Sequence, residues 1–326
     1  NSGSWIGIDE TTSLVGTVLP LGANKVEWEA TDVNGRTTNA SHIITIEDNE
    51  APEAECNNIT IELDATGNYT LDNDDISAIG NGSSDPGGIA SMSISPESFS
   101  CSNVGNNTVT LTVIDNFENQ ATCTATVTVE DNTVPNTVCR NVSVNLDALG
   151  SATVTALSVN NNSTDACGIA NYQISKDNNS YSNSLTFNCS EVTTHTVYLK
   201  VTDVNGNSAT CTSNVTVNDI TFPAAVCNPI TVYLDATGNY TLDADDINDI
   251  SFGSTDNCSL TKTVTPNSFT CANTGSNLVT LRVTDPQGNY DECNTTITVA
   301  DNTTPVAVCQ NITIQLDETG NASITA

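Results

Sequence analysis

Twelve cysteines recur at repeating offsets through 326 residues: Cys56, Cys101, Cys123, Cys139, Cys167, Cys189, Cys211, Cys227, Cys258, Cys271, Cys293 and Cys309. Sulfur in such a pattern either cross-links a chain or binds a soft metal. A zinc site asks for Cys-x-x-Cys spacings or nearby histidines. No Cys-x-x-Cys occurs, and the two histidines, His42 and His195, stand at non-equivalent places. The cysteines are therefore expected to form disulfides, and the chain to belong to an oxidising compartment.

A second set of residues could do oxygen chemistry. Acidic and amide residues recur as Asp48, Asn49, Asp85 and Asp115, then Asp131, Asn132, Asp165 and Asp203, then Asp219, Asp256 and Asp285. Three carboxylates with carbonyl and amide oxygens suit calcium, a hard cation taking six to eight oxygen ligands. The same residue types also build turns by hydrogen-bonding their own backbone, with no metal. No DxDxDG loop is present, and the residue types leave both readings open. Catalysis has less to stand on: there is no GxSxG, HExxH or phosphate loop, and Asp74–Asp75 reads as a solvated turn. Lys25, Lys176, Lys200 and Lys262 share no repeat position, which argues against isopeptide staples.

The elements that position these residues are short strands. In Cys189–Asn218, Val197, Leu199 and Val201 alternate with polar or amphipathic neighbours, TDVNGN follows as a turn, and Cys211, Val215 and Val217 resume the alternation. That is a hairpin with one buried face. Related text occupies 26–48, 109–131 and 279–301. A lone hairpin is marginal in water, so each copy must belong to a larger sandwich. A DN(T/E)xP-like linker starts at Asp48, Asp131, Asp219 and Asp301, spacings of 83, 88 and 82 residues. The expected organisation is the C-terminal part of a repeat (1–47), whole repeats at 48–130, 131–218 and 219–300, and the N-terminal part of another (301–326).

Each whole repeat opens with the linker, then a cysteine four residues after the proline, then a strand such as NITIELD at 58–64 or NITIQLD at 311–317. A DATG-type turn and a return strand complete a first hairpin. An SxD loop follows at 83–85, 163–165 and 254–256, then a strand expected at 169–175 and a third cysteine at Cys101, Cys189 or Cys271. LDNDDISAIG and LDADDINDI have room for one short helical turn each. Six to eight strands in about 85 residues predict an all-β chain, a tandem array of immunoglobulin-like antiparallel β-sandwiches. In such a sandwich the SxD loop and the TDxxGN turn lie at the same end as the entering linker, which would gather the acidic sets above at the repeat junctions.

Seven Lys+Arg against 39 Asp+Glu give a net charge of −32. That excludes nucleic acid and anionic membrane surfaces as partners and favours cations. No run of about 18 apolar residues offers membrane insertion, and residues 1–20 show no export-signal pattern. Sequons at Asn58, Asn141 and Asn311 leave glycosylation undecided.

The combination P-x3-C, ITIxLDxTGN, S(S/T)D and VxLxVTDxxGN-x-ATC-x-ATVTVxDNTxP resembles the HYR-type immunoglobulin-like repeats of very large cell-surface adhesins. It is most similar to those of gliding Bacteroidetes, exported by the type IX system. Gly87 in place of a second cysteine and the cysteine-free 1–47 segment, with Ala40 where other copies have Cys123, Cys211 or Cys293, depart from the pattern. The resemblance implies a non-catalytic adhesin stalk whose partners are the neighbouring repeats of its own chain. Two alternatives carry over: repeats that themselves bind glycan or a solid surface, and an accessory module of a secreted enzyme. Tyr69 and Tyr240 are the recurring aromatics outside the core strands.

Four cysteines in a repeat allow three pairings. An immunoglobulin-like topology sets the first and last strands side by side, which favours Cys56–Cys123, Cys139–Cys211 and Cys227–Cys293, and leaves Cys167–Cys189 and Cys258–Cys271. Cys101 is then expected to be free and Cys309 to pair outside 1–326. Cys56 is out of phase with Ile59, Ile61 and Leu63, so a one-residue irregularity is expected between them.

Overall fold

The structure, a computed structural model, describes residues 5–6 and 16–324; the rest of the expected 1–47 segment lies outside the described residues. It folds as two compact units. One comprises Asn1–Arg140, Asn160–Ser175 and Tyr198–Thr212, and the other Asn141–Val159, Lys176–Val197 and Ser213–Ala326.

Three strands come first: β1 (Trp5–Ile6), β2 (Gly22–Thr31) and β3 (Thr37–Ile46), in one sheet. The copy that follows shows the full pattern, with β4 (Ile59–Glu62), β5 (Asn68–Thr70), the helix α1 (Asn73–Ile79), β6 (Ile89–Ser95), β7 (Ser98–Ser100), β8 (Gly105–Asp115) and β9 (Gln120–Glu130). One sheet has the order β4-β9-β8-β6, and β5 and β7 form a second. All pairings are antiparallel except β4 with β9, which runs parallel with Ile59 opposite Val127. The same orders recur at 142–218 and 230–300. This is the expected all-β, immunoglobulin-like class.

Period-two alternation explains the core. Val109, Leu111 and Val113 on β8 and Ala125, Val127 and Val129 on β9 are each at most 4% exposed, while the threonines between them reach solvent. Ile61, Leu63, Leu71, Ile79, Ile94 and Phe99 close over them. α1 forms because Asp72 caps it: its carboxylate accepts the Asp74 and Asp75 N–H groups, and Asp75 in turn accepts the Asp72 N–H. Ile79 then points into the core. The expected strand at 169–175 is present as Ile169–Ser175.

The irregularity expected after Cys56 is present. No ladder forms between Cys56 and Asn58; the Asn58 side chain accepts the Thr126 N–H at 2.7 Å, and Asn141 does the same for the Asn214 N–H at 2.9 Å.

One expectation needs correction. The strand expected in 311–317 does not form among the described residues. The turn after it survives, since its bonds are local: Asp317 accepts the Thr319 and Asn321 N–H groups, both at 2.9 Å. Trp28, at the place of the buried Leu111, is 36% exposed.

Leu111→Ala is expected to destabilise its sandwich by about 2–5 kcal/mol through lost burial and a residual cavity. Denaturant unfolding under non-reducing conditions measures it.

Candidate functional site

Three disulfides close the first strand of a copy onto its last: Cys56–Cys123, Cys139–Cys211 and Cys227–Cys293. The other two do not lie within a repeat. Cys101 bonds Cys167 and Cys189 bonds Cys258, with Cα separations of 5.1 and 5.7 Å. The expected Cys167–Cys189 and Cys258–Cys271 bridges are therefore wrong, as is a free Cys101; Cys271 and Cys309 are the free cysteines among the described residues.

The reason is geometric. Cys167 precedes Ile169, which pairs with Asp203 at the end of the strand Thr194–Asp203, whereas Cys189 precedes the start of that strand. Ten residues of strand hold the two cysteines apart by roughly 30 Å, and a disulfide needs Cα atoms within about 7 Å.

Each such bridge seats one copy's SxD loop on the preceding copy's D-x-x-G turn, a role the sequence reading missed. Gly67 has φ +75° and Gly150 φ +71°, a backbone that Gly adopts freely. A Cβ on Gly67 would lie 2.5 Å from Cys101 Sγ and 3.2 Å from Ala166 Cβ; on Gly150 it would lie 2.6 Å from both Cys189 Sγ and the Asn257 carbonyl oxygen. The Asn257 amide adds a hydrogen bond to the Asp147 carbonyl at 3.2 Å.

The aspartates divide into two kinds. Asp115, Asp203 and Asp285 are buried turn builders. Asp203 accepts the Asn205 and Asn207 N–H groups on Oδ1 and the Asn207 amide on Oδ2, so both oxygens are occupied. Asp115 does the same with Phe117 and Asn119. Asn207 and Asn119 also donate to the linker carbonyls of Asp131 and Asp48, at 2.8 and 3.0 Å, tying turn to linker. Burial works to raise the Asp115 carboxyl, but the Asn119 amide and the Phe117, Asn119 and Glu118 N–H groups outweigh it and hold it below the ordinary value.

The other kind keeps an oxygen without a partner. Asp131 and Asp219 each accept one linker N–H on Oδ1, from Thr133 and Thr221, while Oδ2 is buried and unbonded. Asp85 Oδ2, Asp256 Oδ1 and Asn257 Oδ1 are in the same condition. Asp131 with Asp165, Asp219 with Asp256, and Asp48 with Asp85 and Asp115 bring ligand atoms within 4.8 Å of one another; the Cys167 and Cys258 sulfurs beside the first two sets are committed to disulfides. Burial pushes the Asp131 carboxyl up against the pull of the Thr133 N–H, and the charges of Asp165 and Asp203 push the same way. Asn132 does not join its set; its amide donates to Glu62 and Glu130.

No protein-family model matches the chain, and no curated protein matches it. Solved structures similar to it include the extracellular cadherin domains 1–4 of protocadherin gamma B7, at 13% identity and a TM-score of 0.32, covering 90% of this chain and 86% of that one. Three immunoglobulin domains of titin match at 11% identity and a TM-score of 0.35, over 77% of this chain and 99% of that one. The protocadherin gamma B4 extracellular domain matches at 14% and 0.32, over 85% and 53%. At these values the likeness concerns the β-sandwich fold alone.

Two outcomes follow. Gly150→Ala is expected to prevent the Cys189–Cys258 bridge, raising the thiol titre of the denatured, unreduced chain from two per chain to four. Because the Asp115 pKa is depressed by folding, its stabilisation is present above the unfolded value near 3.9 and is lost as pH falls through the lower folded value. Asp115→Asn is expected to lower Tm at pH 7 and flatten the loss of stability below about pH 4, measured by thermal unfolding across an acid series.

Proposed function

We propose that this chain is a segment of a non-catalytic extracellular spacer, with modules at 48–130, 131–218 and 219–300 flanked by parts of modules at 1–47 and 301–326. The observation that carries the reading is the overlap of its disulfides. Their loops run 56–123, 101–167, 139–211, 189–258 and 227–293, so every residue from 56 to 293 lies inside at least one.

That overlap limits extension. The shortest covalent path from Cys56 to Cys293 crosses three bridges and walks only 16 residues from Cys123 to Cys139 and 16 from Cys211 to Cys227. At ~3.6 Å per residue the taut path is ~130 Å, against ~850 Å for the reduced chain. The two remaining bridges act at the linkers. Each gives consecutive modules a second covalent connection beside the backbone, which restricts bending at Pro135 and Pro223. Oxidised spacers of this kind keep their reach under load.

The HYR-type pattern points to a cell-surface adhesin stalk, in the manner of gliding bacteria that use type IX export. Calcium, with its preference for many oxygen ligands, is the cation that fits the acidic linker loops and would add stiffness there. Direct glycan binding by the recurring tyrosines is disfavoured. The Tyr69 and Tyr240 hydroxyls donate to Asp75 and Asp246 at 3.0 and 2.7 Å, and the second bond, with burial and the Asp246 charge, pushes Tyr240 up to about 12.

Single-molecule pulling between residues 56 and 293 tests the spacer. Unreduced chain is expected to show no unfolding step of several hundred ångströms, and reduced chain to show them. Long steps in the unreduced chain would overturn the reading.

A further inference from the structure

We propose that the linker aspartates and the SxD loops form calcium sites, one holding Asp131 with Asp165 and a second holding Asp219 with Asp256 and the Asn257 amide oxygen. Clustered aspartates alone are ordinary turn material. What sets these apart is that Asp131 and Asp219 are only 7% and 6% exposed and each keeps a buried carboxylate oxygen with no hydrogen-bond partner, close to a second acidic side chain. A buried anionic oxygen without a donor is costly, and two such groups side by side more so. In the second site Asp256 Oδ1 and Asn257 Oδ1 are also unpartnered, and the Asn257 amide donates to Asp219 Oδ1 at 3.2 Å, which brings the three residues together.

The ligand chemistry selects the ion. Cys167 and Cys258 are the nearest soft donors, and their disulfides remove them, so only oxygens remain. Two carboxylates match a divalent charge, and loop side chains completed by water suit the flexible, high coordination of calcium over the strict octahedron of magnesium. Local turns orient these side chains through one oxygen each: Asp165 Oδ1 accepts the Cys167 and Gly168 N–H groups, and Asp256 Oδ2 accepts the Cys258 N–H while its Oδ1 stays without a partner.

The alternative occupant is a proton shared between the paired carboxylates, and the two differ in their response to calcium. The proposal deepens the spacer reading, on which its mechanical consequence rests, but binding is read separately from extension. The experiment takes the full unreduced chain, strips it with chelator, and titrates calcium at pH 7 by calorimetry and thermal unfolding. Binding with a rise in Tm is expected. Asp131→Asn and Asp219→Asn should each remove one binding event; Asp165→Asn and Asp256→Asn, whose residues are more exposed, serve if the first pair fail to fold. Absence of both heat and Tm shift up to about 10 mM calcium would overturn the proposal, as would binding undiminished in the paired variants or magnesium binding as tightly. Failure here with bridge-limited extension intact leaves the spacer reading standing, and the reverse result leaves the ion sites standing.

Discussion

The parallel pairing of each copy's first strand with its last is the contact on which the rest depends. β4 joins β9 across 68 residues, Ile59 opposite Val127. That register brings Cys56 to Cys123, puts Ile61 and Leu63 under the hairpin core, and delivers the chain from Glu130 directly into the next linker. Without it the first strand has no hydrogen-bond partners. Loop closure over that distance is slow and entropically costly, so a bridge that holds the two ends together serves folding and mechanics alike.

Local and distant demands explain why one residue type does two jobs here. Asp64, Asp203 and Asp285 spend their carboxylates on N–H groups two to four residues ahead, fixing the turns. Thr66 adds its hydroxyl to Asp64, the largest of the influences holding that carboxyl below its ordinary value. Asp131 and Asp219 also make a short-range bond, but the fold then covers their second oxygen. Both kinds read identically as aspartate in a polar loop. Only the distant packing separates a satisfied turn from a buried oxygen left without a partner beside another carboxylate.

The same distinction marks how far the sequence could be read. Strand positions, the two capped helical turns and the all-β class followed from period-two alternation and local capping, which neighbours in the chain decide. The gathering of Asp131 with Asp165 followed from sandwich topology. The long-range bridges did not, because four cysteines within one repeat suggest partners inside it. Yet a signal was present: Gly87 stands where Cys167 and Cys258 stand, and Val18, four residues before Gly22, stands where Cys101 stands four before Gly105. Both members of one cross-repeat pair are missing together. A pairing confined to one repeat explains neither absence and strands Cys101 without a partner.

That pattern also shows which part of the disulfide network is tunable. The bridges from first strand to last tie positions inside a single sandwich, so losing one loosens that sandwich alone. The cross-repeat bridges tie a D-x-x-G turn to the following SxD loop, so losing one removes a connection at a linker and leaves the first-to-last-strand bridge of each sandwich in place. A copy with glycine at the loop, as at Gly87, keeps the acidic trio Asp48, Asp85 and Asp115 but has no sulfur to offer. Substituting one residue in each of two neighbouring copies thus converts a doubly connected linker into a singly connected one. Stiffness can vary along such a chain, junction by junction, while the fold of every sandwich stays the same.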